Sequence, residues 1–175
     1  KFKDFENNFN QKNFDDPIIK SMWELIDEFN ISLKVIHDLF DGIRSDIKEK
    51  VKFNSQKDLL VYSYRVAGTV GLMMAKVLKV NKKSSLKSAI DLGIAMQLTN
   101  IARDISQDHF KSRIYLPEDT GVNHDLMNNL TKENRYKIKK SVDNLLVKAD
   151  IFYNSSINGL RFIPIKSRVS ILIAL

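Results

Sequence analysis

Ala89, Gly93, Gln97, Asn100, Asp104 and Asp108 follow one another at intervals of 4, 4, 3, 4 and 4 residues. On a helix that spacing puts all six on one face. The face is small in its first half and rich in oxygen donors in its second. The opposite positions, Ile90, Ile94, Leu98, Ile101 and Ile105, are apolar. A polar stripe of this kind can simply be the solvent side of an amphipathic helix. This one holds Gln, Asn and two Asp with no Lys or Glu, unlike the lysine-rich surface elsewhere, and its glycine suits a buried cleft. Amide and carboxylate oxygens one turn apart suit Mg2+, which binds through one or two carboxylates and keeps its other positions for water and substrate phosphate. His109 lies off the stripe and the chain has no cysteine, so zinc is not favoured. Arg103, beside the stripe, can clamp a phosphate oxygen.

A second segment supplies an apolar counterpart. Within Tyr62–Ala75, the residues Ala67, Gly71 and Ala75 are spaced by four and form a smooth strip. Glycine in a helix interior costs about 1 kcal/mol relative to alanine, so Gly68 and Gly71 imply close approach to the backbone. Close approach has two readings. One is tight packing of helix on helix; the other is a flat wall for an apolar ligand. A metal–diphosphate end beside such a wall describes a ligand with an anionic head and a greasy tail, as in a prenyl diphosphate.

Both segments need long helices, and the sequence supplies them. Asp16 precedes Pro17 as an N-cap before a first-turn proline, predicting a helix over 17–29. Leu33, Ile36, Phe40, Ile43 and Ile47 predict another over 32–50. Ser55 and Asp58 resemble a capping box that opens a helix over 56–80. Ser84 is the expected cap of a helix over 84–107, and Thr131 opens one over 131–158. Pro164 can open a last helix. Residues 1–16 show no clear period, and 109–125 read as loop with a short turn. Six glycines and three prolines are too few for a sheet with many tight turns. The expected fold is therefore all-α: a single-domain helical bundle.

The 175 residues carry 28 Lys and Arg against 21 Asp and Glu, net +7. Such a charge favours an anionic partner, or else reflects a solvated lysine surface. No aromatic-interleaved basic run or nucleic-acid motif occurs, so nucleic acid is not expected as a partner. No run of 18 apolar residues could span a bilayer. The chain starts at Lys1 and stops in the apolar run Ile171–Leu175 without a helix stop signal. It is read as part of a longer protein.

The runs YSYRVAGTVGLMMAKVL (62–78), DLGIAMQLTNIARDISQD (91–108) and SRIYLP (112–117) resemble the squalene/phytoene synthase family, and bacterial phytoene synthases most. Asn100–Asp108 is similar to that family's second aspartate-rich motif, DxxxD. Phe40–Asp46 and the stretch around Tyr153, Gly159 and Pro164 follow the pattern more weakly. The resemblance implies an isoprenoid synthase fold and an Mg2+-dependent prenyltransferase, with Mn2+ as an alternative ion. The implied reaction joins two prenyl diphosphates head to head through a cyclopropyl diphosphate, geranylgeranyl diphosphate giving phytoene. The alternatives are a squalene or dehydrosqualene synthase acting on farnesyl diphosphate, where NADPH enters only for a squalene-type product, and a non-catalytic helical relative acting in assembly.

By the same resemblance, Asn100, Asp104 and Asp108 hold metal, and Gln97 and Arg103 contact substrate and diphosphate. Tyr62 sits in the central cavity, Ala67, Gly71 and Gly93 line the prenyl channel, and Arg113 and Tyr115 help close the site. A cytoplasmic location with peripheral membrane association is implied. The family's first aspartate-rich motif lies upstream of Pro17 in its members and is absent here. Asp38, Asp41 and Asp46 belong to a different helix, with Asp41 expected to be solvated. The 175 residues thus form one partial domain, lacking the first-motif helices and a C-terminal end, with one side of a two-sided metal site. Alone they are expected to be inactive.

Overall fold

The computed structural model describes residues 1–48, 51–80 and 82–174, and side chains as far as Ile171. Among the described residues there is no strand. The helices are α1 (Phe2–Asn10), α2 (Pro17–Glu28), α3 (Leu33–Asp46), α4 (Gln56–Ser63), α5 (Thr69–Val77), α6 (Lys83–Phe110), α7 (His124–Asn128), α8 (Lys132–Leu160) and α9 (Ile165–Ala174). A π-helical turn, Tyr64–Gly68, joins α4 to α5 without a break. The all-helical expectation holds.

Start signals behave unevenly. The Asp16 carboxylate accepts from the Ile18 amide, with Pro17 at the first helical position. Ser55 and Asp58 form a complete capping box, and the Thr131 side chain accepts from the Asn134 amide. Ser84 does not cap: α6 begins one residue earlier, at Lys83, with no side-chain cap. Two expected ends also shift. The helix after Ser55 ends at Val77, not Val80, where Lys79 takes a left-handed φ of 59°. α3 ends at Asp46; the expected extension to Lys50 runs into residues 49–50, outside the described residues, as does Asn81 in the expected 81–84 link.

Residues 1–16 carry a helix that the sequence reading misses. Phe2, Phe5 and Phe9 fall at i, i+3 and i+7, a short apolar stripe diluted by asparagines. Phe2, Phe5 and Phe9 pack edge-on against Phe40 of α3 at 5.8, 6.0 and 5.2 Å. Phe9 also stacks on Trp23, whose indole donates to the Phe9 carbonyl at 3.1 Å. These residues, with Ile19, Ile26 and Ile36, form one apolar core. A second core lies between α4, α6, α8 and the segment after α6, around Leu98, Ile101, Leu116 and Leu145. α6 and α8 pack along each other more extensively than any other pair and form the spine.

Candidate functional site

The π-helical turn sets how α4 meets α3. A π turn leaves a carbonyl short of its usual partner; here the Thr69 hydroxyl donates to the Arg65 carbonyl at 2.7 Å, in a fully buried position. The turn presents Tyr64 and Arg65 to α3, where Tyr64 donates to Asp38 at 2.9 Å and Arg65 to Asp41 at 3.1 Å. Gly42 makes room: a Cβ there would lie 2.7 Å from Val66. Asp41 keeps a side chain 35% exposed, as a solvated residue would, and pairs with both Arg44 and Arg65. Burial and the neighbouring Asp38 push the Tyr64 phenol up to about 12.

Asp46, the last residue of α3, is the junction of the region. Tyr62 donates to its carboxylate at 2.8 and 3.0 Å, and Tyr115 donates to it at 3.1 Å. Arg113 donates to its main-chain oxygen at 3.3 Å. Tyr62, Tyr115 and Phe53 stack as a buried aromatic group, with centroids 5.0 to 6.2 Å apart. Burial and the Asp46 charge hold both phenols above their ordinary range. Tyr62 is thus a neutral hydrogen-bond donor at neutral pH. The sequence reading did not assign Asp46 this part. Its signal is present only as the terminal residue of the Phe40–Asp46 run.

The chain reaches Arg113 and Tyr115 by a sharp reversal at the end of α6. Ser112 takes a left-handed φ of 58°, and the Arg113 amide donates back to the Asp108 carbonyl at 2.9 Å. This C-terminal cap turns residues 113–117 toward α3 and α4. Further on, the Glu118 amide donates to the Phe53 carbonyl at 2.9 Å.

Asn100, Asp104 and Asp108 are all half-buried along the last turns of α6. Arg103 forks onto Asp104 through Nε at 2.7 Å and Nη2 at 2.6 Å, which holds the Asp104 carboxyl below the usual range. Asp108 is pushed the other way, first by burial and then by the Asp104 charge; Lys111 and Arg113 partly offset this. Among the described residues no three His, Asp or Glu side chains converge on one point as a ready metal cage. The stripe instead offers two carboxylates and an amide from one helix, ringed by Arg103, Lys111 and Arg113. His109 points elsewhere and bonds Asn128 at 3.0 Å.

A cavity of about 370 Å³ lies between α5, α6, the end of α8 and α9. Ala67, Gly71, Ala75, Ala89, Gly93, Gln97 and Asn100 all line it, so it opens at one end onto the polar stripe. Tyr62, Arg103, Asp104, Asp108, Arg113 and Tyr115 are not in its lining. The expected residues therefore divide into an apolar cavity group and a polar group beyond its mouth, with Gln97 and Asn100 at the join. Tyr62 belongs to neither: it sits in the aromatic group behind the mouth. The two glycines of the wall also pack helix on helix. A Cβ on Gly71 would come 2.2 Å from the Ala89 carbonyl oxygen, and one on Gly93 would come 2.3 Å from that of Ala67. The crossing has the tight packing that one reading of the sequence expects, and the same residues line the cavity.

The sequence profile of the squalene/phytoene synthase family matches residues 3–175. The chain is 36% identical over 156 residues to the 15-cis-phytoene synthase of Pantoea ananas, covering 87% of this chain and 50% of that protein. It is 37% identical over 153 residues to the phytoene synthase of Pseudescherichia vulneris, covering 85% and 48% respectively. A crystal structure of a dehydrosqualene synthase in complex with ligand superposes with a TM-score of 0.77 at 28% identity, over 94% of this chain and 60% of that one. The chain spans about half the length of the two curated relatives. A match over nearly every residue, and a helical architecture shared with a solved relative, lead to one assignment: the chain belongs to the squalene/phytoene synthase family.

Proposed function

We propose that the protein carrying this chain is a prenyltransferase that joins two prenyl diphosphates head to head, with two geranylgeranyl diphosphates giving phytoene. One observation carries the reading: an apolar cavity opens, through Gln97 and Asn100, onto a carboxylate stripe surrounded by cations. The residues fit a divalent cation shared with diphosphate. Burial and the Asp104 charge push the Asp108 carboxyl above its ordinary range, a strain that a cation would relieve. Asn100, Asp104 and Asp108 would hold Mg2+, or Mn2+, which supplies neutralisation of the departing diphosphate.

This chain's own residues do the rest. With Asp104 holding the cation, the Arg103 fork would be free for phosphate oxygens. Arg113, held on the Asp46 main chain, and Lys111 add positive charge at the same mouth. Ala67, Gly71 and Gly93 form the wall along which the tail lies, and the buried Tyr62–Tyr115 group excludes water from that side. From Ala89 to Asp104 the stripe runs roughly 22 Å at 1.5 Å per residue, of the order of a C20 tail. The 36–37% relatives are phytoene synthases, which supports the C20 substrate over farnesyl diphosphate. The test incubates the complete protein with geranylgeranyl or farnesyl diphosphate, with Mg2+, with and without NADPH. Phytoene from the first substrate without NADPH is the expected result. A C30 product from farnesyl diphosphate alone, or no product, would overturn the assignment.

A further inference from the structure

Asp46 stands where Tyr62, Tyr115 and Arg113 meet. Its charge reaches the polar stripe, since it is among the groups that raise the Asp108 carboxyl. An arginine beside a half-buried aspartate ordinarily forks onto the two carboxylate oxygens, because guanidinium and carboxylate match in shape and charge. Arg103 does so with Asp104. Arg113 does not do so with Asp46: its Nη2 donates to the Asp46 main-chain oxygen at 3.3 Å, and the two residues form no ion pair.

Phenols hold the carboxylate instead. Tyr62 donates to both oxygens, at 2.8 and 3.0 Å, and Tyr115 to one of them at 3.1 Å. Both tyrosines are buried, and their rings stack with centroids 5.5 Å apart, so neither hydroxyl leaves without unpacking the aromatic group. Tyr115 follows Arg113 by two residues. One short segment therefore brings to α3 both the arginine and a phenol that competes with it for the same carboxylate. The Arg113 amide is tied to the Asp108 carbonyl at 2.9 Å, which fixes the start of that segment to the end of α6.

We propose that Tyr62 and Tyr115 are positioning residues that keep the Asp46 carboxylate occupied, so that Arg113 is not neutralised by it and stays available to an anion at the mouth of the cavity. Asp46 thereby anchors residues 113–117 to α3 without quenching the charge they carry. A phenol suits the task because it donates to a carboxylate and brings no charge of its own. An arginine on a main-chain oxygen keeps its other N–H donors and its full charge for a phosphate oxygen. One forked onto a carboxylate must first break a charge-assisted pair. The consequence for diphosphate rests on the function proposed above; the exclusion of Arg113 from the Asp46 carboxylate does not.

The test uses the complete protein with Tyr115→Phe and Tyr62→Phe, which keep the aromatic rings, and the double variant Tyr115→Phe/Asp46→Asn. Crystal structures of the ligand-free single variants read the first step alone. Arg113 is expected on the Asp46 carboxylate; Arg113 left on the main-chain oxygen in both would overturn the proposal, whatever the site binds. Calorimetry of inorganic diphosphate in Mg2+ reads the second step. Tyr115→Phe should bind about tenfold more weakly than wild type, the effect of one charge-assisted bond. Adding Asp46→Asn should restore most of that affinity, because the amide offers Arg113 no charge, even though the double variant melts at a lower temperature than wild type. A merely structural role gives the opposite order, with the double variant weakest. Equal affinity in wild type and both single variants, or a double variant no tighter than Tyr115→Phe, would overturn the proposal. Absence of diphosphate binding by wild type would overturn the function proposed above, and the position of Arg113 in the crystals then decides this inference.

Discussion

Asp108 and Asp46 are carboxylates beside the same arginine, Arg113, one five residues before it and the other at the end of α3, yet they are used differently. Asp108 is raised above its ordinary value by burial and by Asp104, so the folded, metal-free protein binds a proton more tightly than the unfolded chain. The sign follows directly: the ionised carboxylate costs stability as pH rises through and above the ordinary carboxylate range, and the cost vanishes below it. Asp108→Asn should therefore raise the melting temperature of the metal-free protein at neutral pH, with the gain disappearing in acid. Equal melting at neutral pH would show that the pair is not strained. Asp46 instead satisfies two buried phenols. Asp46→Ala leaves both without an acceptor and should cost on the order of 2–4 kcal/mol in urea denaturation; a loss under about 0.5 kcal/mol would mean that water replaces the carboxylate.

The π-helical turn and α5 cross α6 where Gly71 faces the Ala89 carbonyl and Gly93 faces that of Ala67. This separates two mutations that look alike in the sequence. Gly93→Ala pushes a methyl into the Ala67 backbone and should destabilise by about 1–3 kcal/mol through overpacking, read as a fall in melting temperature. Ala67→Phe adds bulk in the cavity lining, so the fold should survive while the accepted prenyl chain shortens; unchanged chain-length preference would remove the channel role of Ala67. The elements were legible where the signal was local. The capping box at Ser55, Pro17 at the first helical position and the Asn100–Asp108 spacing all depend on residues within one or two turns. What was not legible depends on partners far away in sequence. The phenylalanines of α1 make sense only once Phe40 is beside them. Asp46 acquires its role from Tyr62 and Tyr115, 16 and 69 residues away. The π-helical turn has no sequence mark apart from its effect, which is to aim Tyr64 and Arg65 at α3.

At the scale of the molecule, polarity is arranged along one axis. Carboxylates and the cations Arg103, Lys111 and Arg113 stand at the mouth of the cavity, and the small-residue wall follows. Under the proposed function the α6 stripe would supply one side of a metal site, in a chain about half the length of its curated relatives. The central claim is that this side binds diphosphate through a shared divalent cation. It is tested most directly by calorimetry of inorganic diphosphate with the complete protein, wild type and Asp104→Asn, in Mg2+ and in EDTA. The account predicts that wild type binds far more tightly in Mg2+ than in EDTA, and that Asp104→Asn loses most of that difference while its EDTA affinity is little changed. Equal affinities for the two proteins in both conditions would contradict it.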